Sequence, residues 1–339
     1  MNPEVLVSVR DLHVSFGAVE AVRGLSFDVR KGEVLAVVGE SGAGKSLTAR
    51  ALLGMPPRQA SVTGSIRMGP YELAGAPRSV RAALWGRQLA LVPQDALSAL
   101  SPVHRVADQL AASVRSVDGV SRKEARARAE AALEEVGIPT DRTRAYPHEF
   151  SGGMRQRAVI AMALLHSPAL VIADEPTTAQ DPETQRRLLD LLTHRTEATG
   201  TTLVLITHDL PMVRDHADRV LVMYAGRLAE EGPVEEVFTR PRAPYTAGLL
   251  ASAPLQGRGE LRNQPRRTRG IRLPSIPGTP PNPTNLPPGC AFAPRCPLAD
   301  ATRCATAHPE PETHNNRTVA CHHWRKLPAN SAELFLESV

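Results

Sequence analysis

The chain has 339 residues, 42% of them hydrophobic and 22% charged, with a formal net charge of +5. That length suits two domains, and no stretch reaches the ~18 uninterrupted apolar residues of a membrane span, so any membrane role is expected to come through partners. Met1 to Arg10 lacks the basic-then-apolar pattern of a secretory signal, which leads to the expectation of a cytosolic chain, and the mild positive charge is compatible with nucleic acid or anionic lipid without establishing either.

From the N-terminus, Val7, Val9, Leu12, Val14 and Phe16 alternate with Ser8, Arg10, His13 and Ser15. With Leu25 to Val29, this predicts antiparallel strands solvated on one face. Val34 to Val38 is an unbroken apolar run, as expected of a strand buried on both faces. A Gly-rich turn follows, then a helix from about Lys45 to Leu53. Gln94 to Phe150 is mainly helical in pattern, with Ser121 and Glu124 spaced as a capping box. Met154 to Leu165 and Glu183 to Ala198 predict two more helices, the second capped by Asp181, opened by Pro182 and closed by Gly200. Leu170 to Ala173 and Leu203 to Ile206 read as buried strands, and strands alternating with helices make a parallel sheet with covered faces. Val220 to Leu228 predicts a hairpin turning at Ala225-Gly226. Pro254 to Pro288 reads as a linker or extended wrap, and its Arg258, Arg262, Arg266, Arg267, Arg269 and Arg272 as a solvated charge run. Gly289 to Trp324 holds all four cysteines, and Ala332 to Leu336 is either a short helix or disordered.

Gly39, Glu40, Ser41, Gly42, Ala43, Gly44, Lys45 and Ser46 match G-x-x-x-x-G-K-[ST] between a buried strand and a helix, with Leu47 next. The glycines let backbone N–H groups turn inward around phosphates, and the helix N-terminus adds partial positive charge. Lys45 is expected to reach the β- and γ-phosphates of ATP, and the Ser46 hydroxyl to ligate Mg²⁺. Asp174 ends a buried strand and can hold the Mg²⁺ water shell, while Glu175 is placed to polarise the attacking water as general base. Ser151, Gly152, Gly153 and Met154, ahead of Arg155-Gln156-Arg157, form a second anion-binding helix start. One nucleotide does not need two such starts in one chain.

Phe150 to Arg157 resembles the signature motif of the ATP-binding-cassette (ABC) ATPases, and the other family markers follow in order over roughly residues 5 to 240. The resemblance implies an α/β P-loop NTPase cassette with a parallel core sheet, an antiparallel β subdomain and a helical subdomain, followed by a Pro/Cys-rich extension. It implies that two subunits sandwich two ATP molecules, each signature acting on the partner's ATP. Phe16 matches the aromatic that stacks on adenine. Gln94 matches the glutamine that contacts Mg²⁺ and water. Asp181 belongs to the loop crossing the dimer interface, and His208 matches the histidine at the γ-phosphate. Departures are Met154 in place of a common glutamine, and Gln180 where leucine is usual. The domains expected are 1–235 for the cassette, with its helical part about 95–150, then 236–288 as linker and 289–339 as a Cys-bearing module.

Arg242-Ala-Pro-Tyr-Thr246, Pro277-Gly-Thr-Pro-Pro281 and Pro288-Gly-Cys-Ala-Phe-Ala-Pro-Arg-Cys296 resemble the extension of oligopeptide and dipeptide importer ATPases, and Thr48 to Leu53 resembles their D-type subunit. The family implies an ATPase coupled to peptide uptake, peripheral to the cytoplasmic face of the membrane. Its partners would be a second homologous ATPase in a heterodimer, two permeases and an extracytoplasmic binding protein, with no nucleic acid. A nickel or metallophore importer, a soluble DNA-repair ABC ATPase and an electron carrier are the alternatives. Cys290, Cys296, Cys304 and Cys321 suit either structural Zn²⁺ or an iron–sulfur cluster. The spacing is wider than that of zinc knuckles, and the family resemblance implies a [4Fe–4S] cluster, with His322 the nearest rival ligand beside His308, His314 and His323.

Overall fold

The computed structural model describes residues 4–177, 181–253, 275–328 and 331–335. Gln180 and the arginine run at 258–272 lie outside the described residues. The strands are β1 (Val5–Phe16), β2 (Val19–Arg30), β3 (Val34–Val38), β4 (Ser61–Met68), β5 (Tyr71–Glu72), β6 (Leu89–Val92), β7 (Leu170–Asp174), β8 (Thr202–Ile206), β9 (Arg219–Tyr224), β10 (Arg227–Pro233), β11 (Glu312–His314) and β12 (Arg317–Val319). They form two sheets, ordered β2-β1-β4-β5 and β11-β12-β10-β9-β3-β8-β7-β6.

The smaller sheet is antiparallel, and its alternating residues put Val7, Val9, Leu12 and Val14 into the core. In the larger sheet β9, β3, β8, β7 and β6 run parallel. Every residue of β3 and β8 is buried, which explains why those segments are continuously apolar. One hydrophobic core fills the space between the sheets, and a second packs helices on the parallel sheet through residues such as Leu110, Leu133, Ile160 and Leu188. The helical subdomain pairs the Val106–Asp118 and Arg122–Glu135 helices, the latter capped by Ser121, whose hydroxyl accepts from the Glu124 N–H at 3.2 Å. The predicted hairpin is β9–β10, with Ala225 (φ +45°) and Gly226 (φ +81°) at its turn.

The Cys-bearing stretch continues the main sheet. β12 pairs with β10, aligning Glu230 with Val319 and Glu231 with Thr318, and β11 pairs with β12. A third core joins it to the rest through Tyr224, Val237, Tyr245, Leu250, Phe292 and Phe335. The changes of composition at 235 and 288 are thus crossed by one sheet and one core. Ser331–Phe335 forms a 3₁₀ turn whose Phe335 fills that core. No helix is long and apolar enough to cross a membrane among the described residues.

Candidate nucleotide-binding site

The carboxyl ends of four parallel strands open on one cleft, the usual ligand position in such sheets. β3 runs into the Gly39–Ser46 loop and the Lys45–Leu52 helix, β6 into Gln94, β7 into Glu175 and β8 into His208, and all of these line the cleft. The loop is pressed onto the sheet. A Cβ on Gly39 (φ +149°) would stand 2.2 Å from the Met223 carbonyl, and one on Gly44 (φ +97°) 2.7 Å from that of Ala21. The hairpin turn braces it, because the Gly226 N–H donates to the Ala43 carbonyl at 3.1 Å.

Lys45 is buried, and its Nζ donates to the carbonyls of Gly39 (2.8 Å) and Glu40 (3.1 Å). Burial holds its pKa below the ordinary lysine value, against the pull of Glu175, Asp174 and Glu40. The Ser46 hydroxyl donates to Asp174 Oδ1 at 3.0 Å. Burial raises the Asp174 pKa, and that hydrogen bond works against the rise. Gln94 Nε2 donates to Glu175 Oε2 at 3.2 Å, and His208 Nδ1 stands 3.5 Å from Glu175 Oε1. Glu175 is left-handed (φ +46°), and its N–H is tied to the Ile206 carbonyl at 2.9 Å. A non-glycine residue there costs about 1–3 kcal/mol and persists only where its surroundings enforce it.

Phe16 ends β1 opposite Val19, half-buried against the core between the sheets, and does not line this cleft. The signature residues also stand outside it. Ser151 caps the Gly152–Leu164 helix, its hydroxyl accepting from the Met154 N–H at 3.2 Å. Ser151 and Gly152 are exposed, with Gly153 and Met154 half-buried. Asp181 caps the neighbouring Pro182–Thr199 helix, accepting from Glu183 N (3.2 Å) and Thr184 N (3.0 Å).

Sequence reasoning missed two contacts that the extension makes with the loop. The Glu40 N–H donates to Tyr245 Oη at 2.8 Å, and the Glu40 carboxylate pairs with Arg295. Both residues stood inside recognised motifs, but nothing local in the sequence signals a partner this distant.

Cys290, Cys296, Cys304 and Cys321 line one pocket with Phe292 and His308. Burial raises the Cys290 thiol and pushes Cys296 up to about 11 and Cys321 to about 12. As free thiols they would stay protonated at neutral pH, whereas a bound metal would deprotonate them. Burial also lowers His308 to about 4, leaving it neutral. Cys304 Sγ, an Asp300 oxygen and a His323 nitrogen lie within 4.8 Å of one another. His322 Nε2 faces the Ala307 carbonyl at 2.9 Å, and His314 leans on the Trp324 ring.

Residues 22–178 match the ABC transporter family, and residues 229–304 match the oligopeptide/dipeptide transporter C-terminal region. The chain is 46% identical over 317 residues to the oligopeptide transport ATP-binding protein OppD of Mycobacterium tuberculosis, covering 91% of this chain and 50% of that protein. It therefore spans about half the length of that mycobacterial relative. It is 45% identical to the dipeptide transport ATP-binding protein DppD of Bacillus subtilis, covering 87% of each. Among solved structures it resembles cbiO1 from Clostridium perfringens, part of the ABC transporter complex cbiONQ, with a TM-score of 0.62 and 27% identity over 69% of this chain and 91% of that one.

Proposed function

This chain belongs to the ABC transporter ATP-binding proteins, in the branch that carries the oligopeptide/dipeptide transporter C-terminal region, and from that premise we propose that it hydrolyses ATP to drive uptake of short peptides. The observation that carries the reading is the meeting of Lys45, Ser46, Gln94, Glu175 and His208 at the strand ends below one glycine loop. The Gly39–Ser46 loop and the start of the Lys45–Leu52 helix line the cleft, and a glycine loop at a helix N-terminus suits phosphate. Lys45, now turned back on two loop carbonyls, would swing to the β- and γ-phosphates. The Ser46 and Asp174 oxygens, with the Gln94 side-chain oxygen, would hold Mg²⁺, whose chemistry would be to neutralise phosphate charge. Glu175, fixed between Gln94 and His208, would take a proton from the attacking water, and His208 would steady the γ-phosphate. Phe16 stays assigned to the adenine, which requires the base to extend past the cleft toward the β1–β2 turn.

The signature residues lie off this chain's own cleft with their helix start facing outward. That supports a second ATPase subunit whose ATP they complete, with Asp181 beside the same interface. Two permeases would place the pair on the cytoplasmic face of the membrane, and a binding protein outside would deliver the peptide. Replacing Glu175 by Gln is expected to lower turnover by ~10²–10⁴, the range for a positioned acid or base, while ATP still binds. Steady-state ATPase assays alongside nucleotide titration check this, and near-normal turnover would remove Glu175 from the role.

Four thiols around one pocket support a metal centre in the extension, and the reading preferred is a [4Fe–4S] cluster held by Cys290, Cys296, Cys304 and Cys321. Its work would be to staple this stretch of chain. A zinc site sharing Asp300, Cys304 and His323 is favoured by their proximity as the second reading. Protein purified without oxygen is expected to contain about four irons and four sulfides per chain by the cluster's composition. Stoichiometric zinc without iron would overturn the cluster in favour of the second site.

A further inference from the structure

Glu40, the second residue of the phosphate-binding loop, is gripped from 255 residues further along the chain. Arg295 presents both terminal nitrogens to its carboxylate, Nη1 to Oε2 at 2.6 Å and Nη2 to Oε1 at 3.0 Å. This two-point geometry is what a guanidinium fork forms best. The fork is itself held. Its Nε donates to the Pro277 carbonyl at 2.8 Å, Nη1 also reaches Tyr224 Oη at 3.2 Å, and the group lies 6.0 Å from the ring centres of both Tyr224 and Phe292. Arg295 is 7% exposed and Tyr245, which takes the Glu40 N–H, 2%. Tyr224, Tyr245 and Phe292 meet in tilted and edge-to-face contacts with ring centres 4.4 to 5.4 Å apart, a packed aromatic cluster beside the loop. The loop's outer corner is thus fixed through side chain and backbone together, by groups outside the motif.

We propose that Arg295, with Tyr245, is a positioning residue for the nucleotide: it holds the loop corner at Glu40 so that the loop amides are set for phosphate beforehand, and the extension thereby sets nucleotide affinity. The inference rests on the reading of the cleft as an ATP site. A loop ordered in advance has no ordering cost on binding. With the corner released, affinity falls by the fraction of time the loop is competent, while the filled site turns over as before.

The test is calorimetric titration of MgADP into the full-length chain, with kcat and KM for MgATP on the same preparations. Arg295→Ala is expected to raise Kd and KM by ~10-fold with kcat within ~2-fold, and Glu40→Ala to raise Kd by a similar factor. The double variant should also stay near ~10-fold rather than ~100-fold, because residues acting as one unit are not additive. Arg295→Lys keeps charge without the fork and should fall between. Tyr245→Phe keeps the ring and loses only the acceptor, so a smaller rise is expected. These two variants carry the test if Arg295→Ala does not fold. A lower melting temperature and kcat with Kd unchanged would show a merely structural role and overturn the proposal, as would multiplying single effects. A wild-type chain that does not bind MgADP would remove the ATP site itself and the proposal with it.

Discussion

Buried charge shows most clearly what single residues decide here. Arg219 stands between two carboxylates, donating to Glu33 at 2.8 and 2.9 Å and to Glu231 on its other side. One cation facing two buried anions leaves an excess negative charge. Burial accordingly pushes Glu231 up from 4.5 to about 7, with Arg219 opposing and Glu33 adding to the rise. A folded-state pKa above the unfolded value means that the folded chain binds more protons between about 4.5 and 7. This contribution to stability is present below pH 4.5 and lost as pH rises through 7. Glu231→Gln is expected to flatten that slope and to stabilise the chain at pH 8 by up to about 3 kcal/mol. Urea midpoints of both proteins across pH 5–8 check it, and parallel slopes would contradict it. Glu230, fully buried, differs in being satisfied by the N–H groups of Arg242 and Ala243 and by Arg317. Neither burial was legible locally, because consecutive glutamates in a hairpin strand ought to place one in solvent. They are buried among different partners: Glu230 under Arg317 of β12 and the Arg242–Ala243 backbone, Glu231 against Arg219 of β9, which also holds Glu33.

Among the elements, those that announce themselves by period are the ones the sequence reveals. β1, β3, β7 and β8 follow from alternation or apolar runs, and the Pro182–Thr199 helix from Asp181, Pro182 and Gly200 at its ends. β6, at four residues, and β11 and β12, at three each, are too short to carry a period and exist through their partners. The phosphate loop was legible as a motif, but the reason for each of its glycines was not. Gly39 needs the absence of a side chain because β9 backbone fills the space, whereas Gly42 (φ +82°) has nothing within 4 Å of its missing Cβ. Gly42→Ala should therefore cost only the ~1–2 kcal/mol of a left-handed residue. Gly39→Ala must displace backbone and should cost more, ~3 kcal/mol or above, in the range of severe single substitutions. Thermal unfolding of the two variants compares them directly, and equal losses would mean that the contact with Met223 yields.

At the level of the whole molecule, composition divides the chain where packing unites it. A Pro-rich segment and a scatter of cysteines read as an appendage, since neither has the periodicity of a core element. Yet Phe292 completes an aromatic cluster with Tyr224 and Tyr245, and the last strands widen the main sheet. The candidate site was legible to the extent that its residues sit at the ends of readable strands. Its support from the extension was not, because long-range partners leave no local pattern. The distance between Glu40 and Arg295 along the chain also has a meaning in time. A ribosome adds roughly 5–20 residues per second, so the Glu40 carboxylate waits on the order of ten to fifty seconds for the Arg295 guanidinium. Throughout that wait the nascent polypeptide carries a fully written phosphate motif whose corner is still loose. The grip on the loop corner therefore follows the motif by that interval during synthesis, because it needs chain made 255 residues later.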